Sequence, residues 1–261
     1  MMISPAKTLD FENEGQIGAN QEPFFPESSQ KVAKKLASYK ASGLKKLQGI
    51  SAALADLNFE RNQALHSGAE TAQKQAVLAF KGDVYLGLEA DQWSESDMEF
   101  AQNKLFILSG YYGILKPNTL IRPYRLEMGT KMNVGRKKNL YDFWQADLGS
   151  YLKAELKPEE TIINLASKEY FKAVGQLKLP NPVIDVEFMD WSNGKYKVLS
   201  FFAKKARGMM ANFIVQNRID DWQELKDFNL AGYYFAPDHS SDGRMVFLRD
   251  ERWIKLWNYL A

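Results

Sequence analysis

The sequence predicts a mixed α/β or α+β fold, a single domain in which a mixed β-sheet and flanking helices surround a basic cleft. Short apolar runs typical of buried strands alternate with stretches whose apolar residues recur every three or four positions, as on one helix face. Asn193-Gly194 and Asp242-Gly243 indicate β-hairpin turns in the last third of the chain. No internal repeat or long linker divides the 261 residues, so we expect one domain over 1–261.

Strands and helices can be placed along the chain from these patterns. We expect strands at residues 1–3, 105–108, 161–165 and 198–202, and hairpins that pair 183–189 with 195–202 and 233–236 with 245–249. We expect helices at residues 31–39, 94–102, 139–157 and 168–174, and a helix-turn-helix within 44–57, where Gly49 interrupts the pattern. Ser94 and Asp97 have the spacing of a helix N-cap and its reciprocal partner.

Cysteine and histidine usage excludes several kinds of chemistry. The chain has no cysteine and only two histidines, which excludes disulfides, thiol peroxidase chemistry and Cys-ligated metal sites. We therefore expect no metal and no cofactor. No apolar run approaches the ~18 residues of a membrane helix, and the first ten residues lack the pattern of a signal peptide. We expect a cytoplasmic monomer that does not bind membranes.

Charge is distributed unevenly, although the net charge is only +2. Residues 116–138 carry seven basic side chains and one acidic side chain. Residues 83–99 carry six acidic side chains and no basic one. This asymmetry indicates a charged face and favours a charged partner.

The stretch after residue 202 combines helical spacing with a cluster of cations. Its apolar residues predict a helix that begins near Ala203, which places Lys204, Lys205 and Arg207 in the first turn. Each cation at a helix N-terminus is disfavoured by about 0.3–1 kcal/mol. The free N–H groups and the three cations together favour a phosphate site. The alternative is that these are solvated surface side chains and that the helix begins one turn later.

Serine or lysine follows each of the four predicted strands. If the strands are parallel in one sheet, these ends lie at one edge, where open sheets bind ligands. Hydroxyls, helix N–H groups and lysines at such an edge suit phosphate or a nucleic acid backbone. The candidate DNA- or phosphate-binding residues are Ser4, Lys7, Gly49, Ser109, Arg122, Arg125, Ser167, Lys168, Lys172, Lys204, Lys205 and Arg207. Each serine taken alone is equally a helix cap.

Two short stretches match known motifs in part. Residues 44–55 resemble half of a helix-hairpin-helix, in which a glycine turn offers backbone N–H groups to one DNA phosphate. Ser51 stands where that motif has its second glycine, and a simple bend between two core helices is the alternative. Ser4 and Lys7 match the S-x-x-K of acyl enzymes, but the companion motifs S-D-N and K-T-G are absent.

The order of several longer motifs resembles the YaaA family of peroxide-stress proteins. The matching stretches are ISPAKTLDF at 3–11, AFKGDVYLGL at 79–88, SGYYGILKP at 109–117, RPYRLEMG at 122–129, LYDFW at 140–144, NLASKEYFKAV at 164–174 and FFAKKARGMM at 201–210. The resemblance runs from Ile3 to about Arg249. Residues 250–261 form a tail outside it.

The resemblance implies a cytosolic protein that helps cells survive hydrogen peroxide by limiting free iron and the DNA damage that iron causes. It also implies a mixed α/β domain of unusual fold with a basic cleft, a helix-hairpin-helix and DNA binding. The expected partner is DNA, duplex or distorted, without sequence preference.

Two other functions remain as alternatives. One is an enzyme that acts on a nucleotide or damaged nucleobase at the same cleft, with Glu127 and Asp83 as acid–base groups. The other is iron binding by the acidic residues at 83–99, for which a solvated helix face is the simpler explanation.

Overall fold

The computed structural model describes residues 1–13 and 15–250, and a mixed β-sheet lies at the centre of this part of the chain. The strands are β1 (Met2–Ile3), β2 (Thr8–Leu9), β3 (Lys74–Gln75), β4 (Phe80–Lys81), β5 (Phe106–Ser109), β6 (Gly113–Leu115), β7 (Leu120–Ile121), β8 (Ile162–Asn164), β9 (Val183–Ser192), β10 (Lys195–Lys197), β11 (Tyr233–Phe235) and β12 (Arg244–Arg249). The predicted tail at 250–261 lies outside the described residues except for Asp250.

The main sheet has the order β11-β12-β9-β8-β1-β5-β6, with β10 paired to β9. Strands β5, β1, β8, β9 and β12 are parallel to their neighbours in this row, whereas β6, β10 and β11 are antiparallel. Two small ladders, β2 with β4 and β3 with β7, lie outside it. The prediction of a mixed sheet with flanking helices is confirmed.

Helices cover the sheet. They are α1 (Pro26–Ala37), α2 (Ala41–Gln48), α3 (Ala52–Ser67), α4 (Ala76–Ala79), α5 (Asp83–Leu88), α6 (Glu95–Lys104), α7 (Leu140–Glu155), α8 (Lys168–Gly175) and α9 (Ser200–Gln216). Short 3₁₀ turns occupy Ala90–Gln92, Trp222–Asp227, Leu230–Gly232 and Pro237–His239. Within residues 1–13 and 15–250, no helix combines the length and the apolar character that crossing a bilayer requires.

Local sequence explains why several elements begin where they do. All the residues of β1 and β5 are buried, as their unbroken apolar runs predict. Helix α6 has the predicted reciprocal cap, in which the Ser94 hydroxyl accepts from the Asp97 N–H and the Asp97 carboxylate accepts from the Ser94 N–H. Asn139 and Ser167 cap α7 and α8 by the same kind of side-chain bond.

Helices α5 and α9 cross at unusually close range because each has a glycine against the backbone of the other. A methyl group on Gly208 would lie 1.8 Å from the Val84 carbonyl oxygen, and one on Gly87 would lie 2.2 Å from the Lys205 carbonyl oxygen. Both distances are far below van der Waals contact. The crossing therefore depends on the missing Cβ atoms, and it fixes α9 against the segment that carries Asp83.

Two sequence expectations about element boundaries are wrong. The strand predicted at residues 198–202 is absent, because the strand ends at Lys197 and α9 begins at Ser200. Phe201 is 54% exposed, so this apolar run is not the interior strand that its composition indicated. The first helix begins at Pro26, five residues before the predicted start, because proline without its N–H is well suited to the first helical position.

Candidate anion-binding cleft

The order of the parallel strands creates a crevice between β1 and β8. The chain passes from β1 to β5 on one side of it and then to β8 and β9 on the other, which gives the spatial order β5-β1-β8-β9. The connections therefore leave β1 and β8 in opposite directions. At such a switch point, ligands bind in the crevice outside the carboxyl ends of the strands.

A serine lies just beyond the carboxyl end of each of these two strands. Ser4 follows β1, and Ser167 caps α8 shortly after β8. The Ser167 backbone N–H donates to the Ser4 hydroxyl oxygen at 2.9 Å, and the Ser4 hydroxyl donates to the Ser167 hydroxyl oxygen at 3.3 Å. The Tyr170 N–H also donates to that Ser167 oxygen, at 3.4 Å. The proton of the Ser167 hydroxyl is therefore available for a ligand.

A cavity of about 460 Å³ opens beside this serine pair, and we call it the cleft. Its walls come from the segment after β1, the start of α5, the segment around Glu127, the start of α8 and one face of α9. The charged and hydroxylic residues that line it are Ser4, Lys7, Thr8, Lys81, Asp83, Glu127, Ser167, Glu169, Tyr170, Lys204 and Arg207. The structure thus brings together five of the predicted residues: Ser4, Lys7, Ser167, Lys204 and Arg207.

The cleft has mixed charge with a small positive excess, because four basic and three acidic side chains line it. Lys7 Nζ lies 2.9 Å from Glu127 Oε2, and Lys204 Nζ lies 3.8 Å from Asp83 Oδ2. Both lysine side chains are more than half exposed. Exposed ion pairs of this kind contribute about 0.2–1 kcal/mol, so an anion can recruit either lysine at little cost.

Arg207 brings a partly buried guanidinium to the cleft. None of the ion pairs in the described part of the chain includes Arg207, and its Nε is buried without a hydrogen-bond partner. Burial lowers the pKa of the guanidinium, and only the more distant Glu187 opposes this. An uncompensated charge in a partly buried position is unfavourable. An anionic ligand would remove that cost.

Arg207 also lines a second cavity, of about 510 Å³, and we call it the groove. Its polar and charged lining residues are Asn164, Lys168, Lys172, Asp185, Glu187, Arg207 and Arg244. Both acidic residues are already engaged. Arg244 Nε donates to Glu187 at 2.9 Å, and Asn164 Nδ2 donates to Asp185 at 2.7 Å. The groove therefore holds two more of the predicted residues, Lys168 and Lys172, next to Arg207.

Three predicted residues lie outside both cavities. Lys205 lies on another face of α9, beside Gly87. Ser109 is fully buried, and its hydroxyl bonds Tyr124 at 2.8 Å and accepts the backbone N–H of Tyr112 at 3.0 Å. Arg122 donates from Nε to the Thr71 hydroxyl at 2.7 Å. Ser109 ends β5, which is parallel to β1, so it lies at the same edge of the sheet as Ser4, but its buried hydroxyl lines neither cavity. The expected strand at 198–202 is absent, and Lys204, Lys205 and Arg207 lie beyond the first turn of α9.

The remaining two predicted residues lie at a helical hairpin. Helices α2 and α3 are joined through Gly49, which has a φ of 62° and is exposed, and Ser51 caps α3. The predicted arrangement of two helices joined by a glycine turn is confirmed. The Gln48 side chain donates to the Arg125 carbonyl oxygen at 2.8 Å. Arg125 precedes Glu127 by two residues, so the hairpin lies near the rim of the cleft.

Two buried tyrosines lie at the cleft: Tyr170 lines it, and Tyr85 bonds the backbone of Ser4 in its wall. Burial raises the pKa of Tyr85 and of Tyr170, and nearby Glu169 and Glu127 raise the pKa of Tyr170 further. Both phenols therefore stay protonated at neutral pH. The Tyr85 hydroxyl donates to the Ser4 carbonyl oxygen at 3.2 Å, which fixes the chain as it leaves β1.

Sequence reasoning missed Lys81, Glu169 and Arg244. Glu169 accepts the Gly129 N–H at 2.8 Å, so it joins the cleft wall to the loop after Glu127. An acidic residue in a first helical turn is common for electrostatic reasons alone, which hid this role. Arg244 stands at the start of a hairpin strand, where nothing local indicates a ligand site.

The acidic run at 83–99 is partly structural. Asp97 caps α6 and lies 2.7 Å from Arg218, and Asp83 faces Lys204. Among residues 1–13 and 15–250, no group of three or more His, Asp or Glu side chains is arranged to hold a metal ion.

Comparison with known proteins agrees with the motifs in the sequence. The family model described as "Peroxide stress protein YaaA" matches residues 1–239. The chain is similar to UPF0246 proteins of Aliivibrio fischeri strain MJ11 (44% identity over 97% of this chain and 98% of the relative), Acaryochloris marina (46%, 96% and 99%) and Cellvibrio japonicus (48%, 96% and 98%). This chain therefore belongs to the YaaA family of peroxide stress proteins.

Proposed function

We propose that this chain is a cytoplasmic DNA-binding protein of the peroxide stress response, and that it limits iron-dependent oxidative damage by binding DNA. The observation that carries the proposal is Arg207, a partly buried guanidinium that lines both cavities and belongs to no ion pair in the described part of the chain. Guanidinium donors match phosphate oxygens in pairs, which makes arginine the preferred partner of phosphate.

Other groups around Arg207 suit the same ligand. Lys7 and Lys204 lie on the cleft side, and Lys168 and Lys172 lie on the groove side. The N-terminus of α8 adds its partial positive charge, and the Ser167 hydroxyl has a proton to donate. Contacts of this kind position a nucleic acid backbone without reading its sequence.

The α2–α3 hairpin supplies a second contact in this proposal. Backbone N–H groups at the start of α3, after Gly49 and Ser51, would face a phosphate of the same DNA, and Arg125 lies beside them. The 122–129 segment connects the hairpin to the cleft, because Gln48 bonds the Arg125 carbonyl and Glu127 lines the cleft.

Protection through DNA fits the chemistry of the chain better than direct destruction of peroxide. The chain contains no cysteine, so it has no thiolate to reduce peroxide. A protein that covers DNA shields it from the hydroxyl radicals that iron and peroxide produce. The expected result is that wild-type protein reduces nicking of a supercoiled plasmid by ferrous iron and peroxide, and that a variant unable to bind DNA does not.

The binding test compares two neighbouring lysines on α9. Lys204→Gln removes a cation of the cleft, whereas Lys205→Gln removes the same charge from the other face of the helix. Affinity for duplex and bubble DNA is measured by fluorescence anisotropy across a salt series. We expect Lys204→Gln to weaken binding and to reduce the slope against salt by about one unit. Equal affinity and slope for wild type and both variants would overturn the proposal.

Asp83 and Glu127 favour a second candidate function, an enzyme that acts on a nucleotide or damaged nucleobase. Both carboxylates line the cavity that Arg207 enters, and a carboxylate beside a bound base or sugar is a typical acid–base group. The test is incubation with nucleotides and damaged oligonucleotides, followed by mass spectrometry. Recovery of unaltered substrates at full yield contradicts catalysis, and a new product that Glu127→Gln abolishes supports it.

A further inference from the structure

We propose, resting on the DNA-binding function above, that the cleft and the groove together hold one unpaired nucleotide with a phosphate on each side. The base occupies the cleft, the sugar lies at the junction beside Arg207, one phosphate binds Arg207, and the other binds in the groove at Lys168 and Lys172. The ligand class is therefore a single-stranded or extruded nucleotide, the minimal form of which is a nucleoside 3′,5′-bisphosphate.

Cavity size selects an unpaired nucleotide. The cleft and the groove measure about 460 and 510 Å³. These volumes lie within the range of roughly 300–1,000 Å³ that is typical of small-molecule sites. A base pair inside a duplex cannot enter a cavity of this kind, and proteins that address single bases extrude them into such pockets.

Arg207 links the two cavities because its side chain lines both of them. A guanidinium presents its N–H groups along two edges of one plane, so a phosphate at the junction can bind it while the rest of the ligand extends to either side. The Arg207 Nε has no hydrogen-bond partner among the described residues, so it can donate to that phosphate. The other cations divide between the two cavities in agreement with this arrangement.

The two cavities differ in their balance of basic and acidic side chains, and this difference suits the base and the phosphate of a nucleotide. Four basic and three acidic side chains line the cleft, so its positive excess is smaller than that of the groove, and its carboxylates can accept from the N–H groups of a base. The groove has four basic and two acidic side chains, and Asn164 and Arg244 already bind both acids. A phosphate is therefore favoured in the groove, and a base is favoured in the cleft.

Four probes test this arrangement by isothermal titration calorimetry: thymidine, its 5′-monophosphate, its 3′-monophosphate and its 3′,5′-bisphosphate. We expect wild type to bind the bisphosphate at least about ten-fold more tightly than either monophosphate. The double variant Lys168→Gln/Lys172→Gln should reduce this ratio to about one. Lys153→Gln on the exposed side of α7 is the matched control and should keep the ratio.

The outcomes separate this inference from the DNA-binding function. DNA affinity is measured on the same preparations, and thermal melting confirms that each variant is folded. If wild type binds DNA but binds bisphosphate and monophosphates equally, the two-cavity arrangement is wrong and DNA binding stands. If wild type binds DNA but none of the four probes, the same conclusion follows. If it binds neither DNA nor nucleotide, both proposals fail.

Discussion

The Ser167 backbone N–H donates to the Ser4 hydroxyl at 2.9 Å and thereby ties the end of β1 to the start of α8. The two residues are 163 positions apart in sequence, yet they meet because β1 and β8 are parallel neighbours. Both serines line the cleft, so the position of the ligand site depends on β1 and β8 being neighbours in the sheet.

We expect Ser4→Ala to destabilise the fold, since it removes the acceptor of a partly buried N–H. A lost hydrogen bond of this kind costs about 1–3 kcal/mol when the partner stays unsatisfied. Urea denaturation measures the change in the free energy of unfolding. Ser42→Ala, at an exposed position of α2, is the control and should change stability by less than about 0.5 kcal/mol. Equal stability of both variants would show that the Ser4 contact contributes nothing.

The close crossing of α5 and α9 predicts that Gly208→Ala is severely destabilising. The added methyl group would overlap the Val84 carbonyl, so the helices must separate, at a cost of about 1–3 kcal/mol or more. Gly175→Ala, at the end of α8, meets no atom within 4 Å and should be neutral or slightly stabilising. Thermal melting of the two variants is the measurement. A melting temperature for Gly208→Ala equal to that of wild type contradicts the packing described.

A buried ion pair in the hairpin region gives a third prediction. Arg249 Nε lies 2.6 Å from Asp190 Oδ1, both side chains are almost fully buried, and the Tyr233 hydroxyl lies 3.1 Å from the same carboxylate. Asp190→Asn should cost about 1.5–3 kcal/mol, because it removes the buried carboxylate that accepts from both Arg249 and Tyr233. Glu187→Gln, which breaks the more exposed pair with Arg244, should cost about 1 kcal/mol or less. Chemical denaturation of both variants compares the two losses, and equal losses would contradict this ranking.

Acid stability depends on Asp97. Burial alone would raise the pKa of this carboxyl, but hydrogen bonds from Ser94 and the guanidinium of Arg218 outweigh burial and lower the pKa to about 2. A lowered pKa means that the ionised form stabilises the fold above the unfolded value of 3.8, and that this contribution disappears as pH falls toward 2. It amounts to about 1–2 kcal/mol.

The test compares wild type with Asp97→Asn by urea denaturation at pH 5 and at about pH 2.5. We expect wild type to be more stable at pH 5 and the difference to shrink at the lower pH. A difference that is constant across this range would show that the Asp97 carboxylate does not titrate with folding.

Much of the cleft could be predicted because its serines follow buried strands. An unbroken apolar run followed by serine identified the ends of β1 and β8, and the parallel arrangement then brought Ser4 and Ser167 together. The cap of α6 was also predictable, since Ser94 and Asp97 interact within one helical turn. Sequence patterns were therefore sufficient to predict contacts within one helical turn and contacts that follow from parallel strand direction.

Other features depend on packing between distant segments and have no local signal. The close packing of α9 on α5 requires Gly87 and Gly208, each of which lies against the backbone of the other helix. That crossing also decides that Lys204 faces the cleft and Lys205 does not. Ser109 had the same local pattern as Ser4, but the Tyr124 ring covers it, so its hydroxyl serves the turn after β5.

The most direct test of the account is the effect of Arg207→Gln on DNA affinity and on stability, measured on the same folded protein. Because Arg207 is a partly buried charge that belongs to no ion pair among residues 1–13 and 15–250, we expect at least about ten-fold weaker DNA binding. We also expect a free energy of unfolding equal to or higher than that of wild type. Unchanged DNA affinity in a folded Arg207→Gln variant would contradict the central role of this residue.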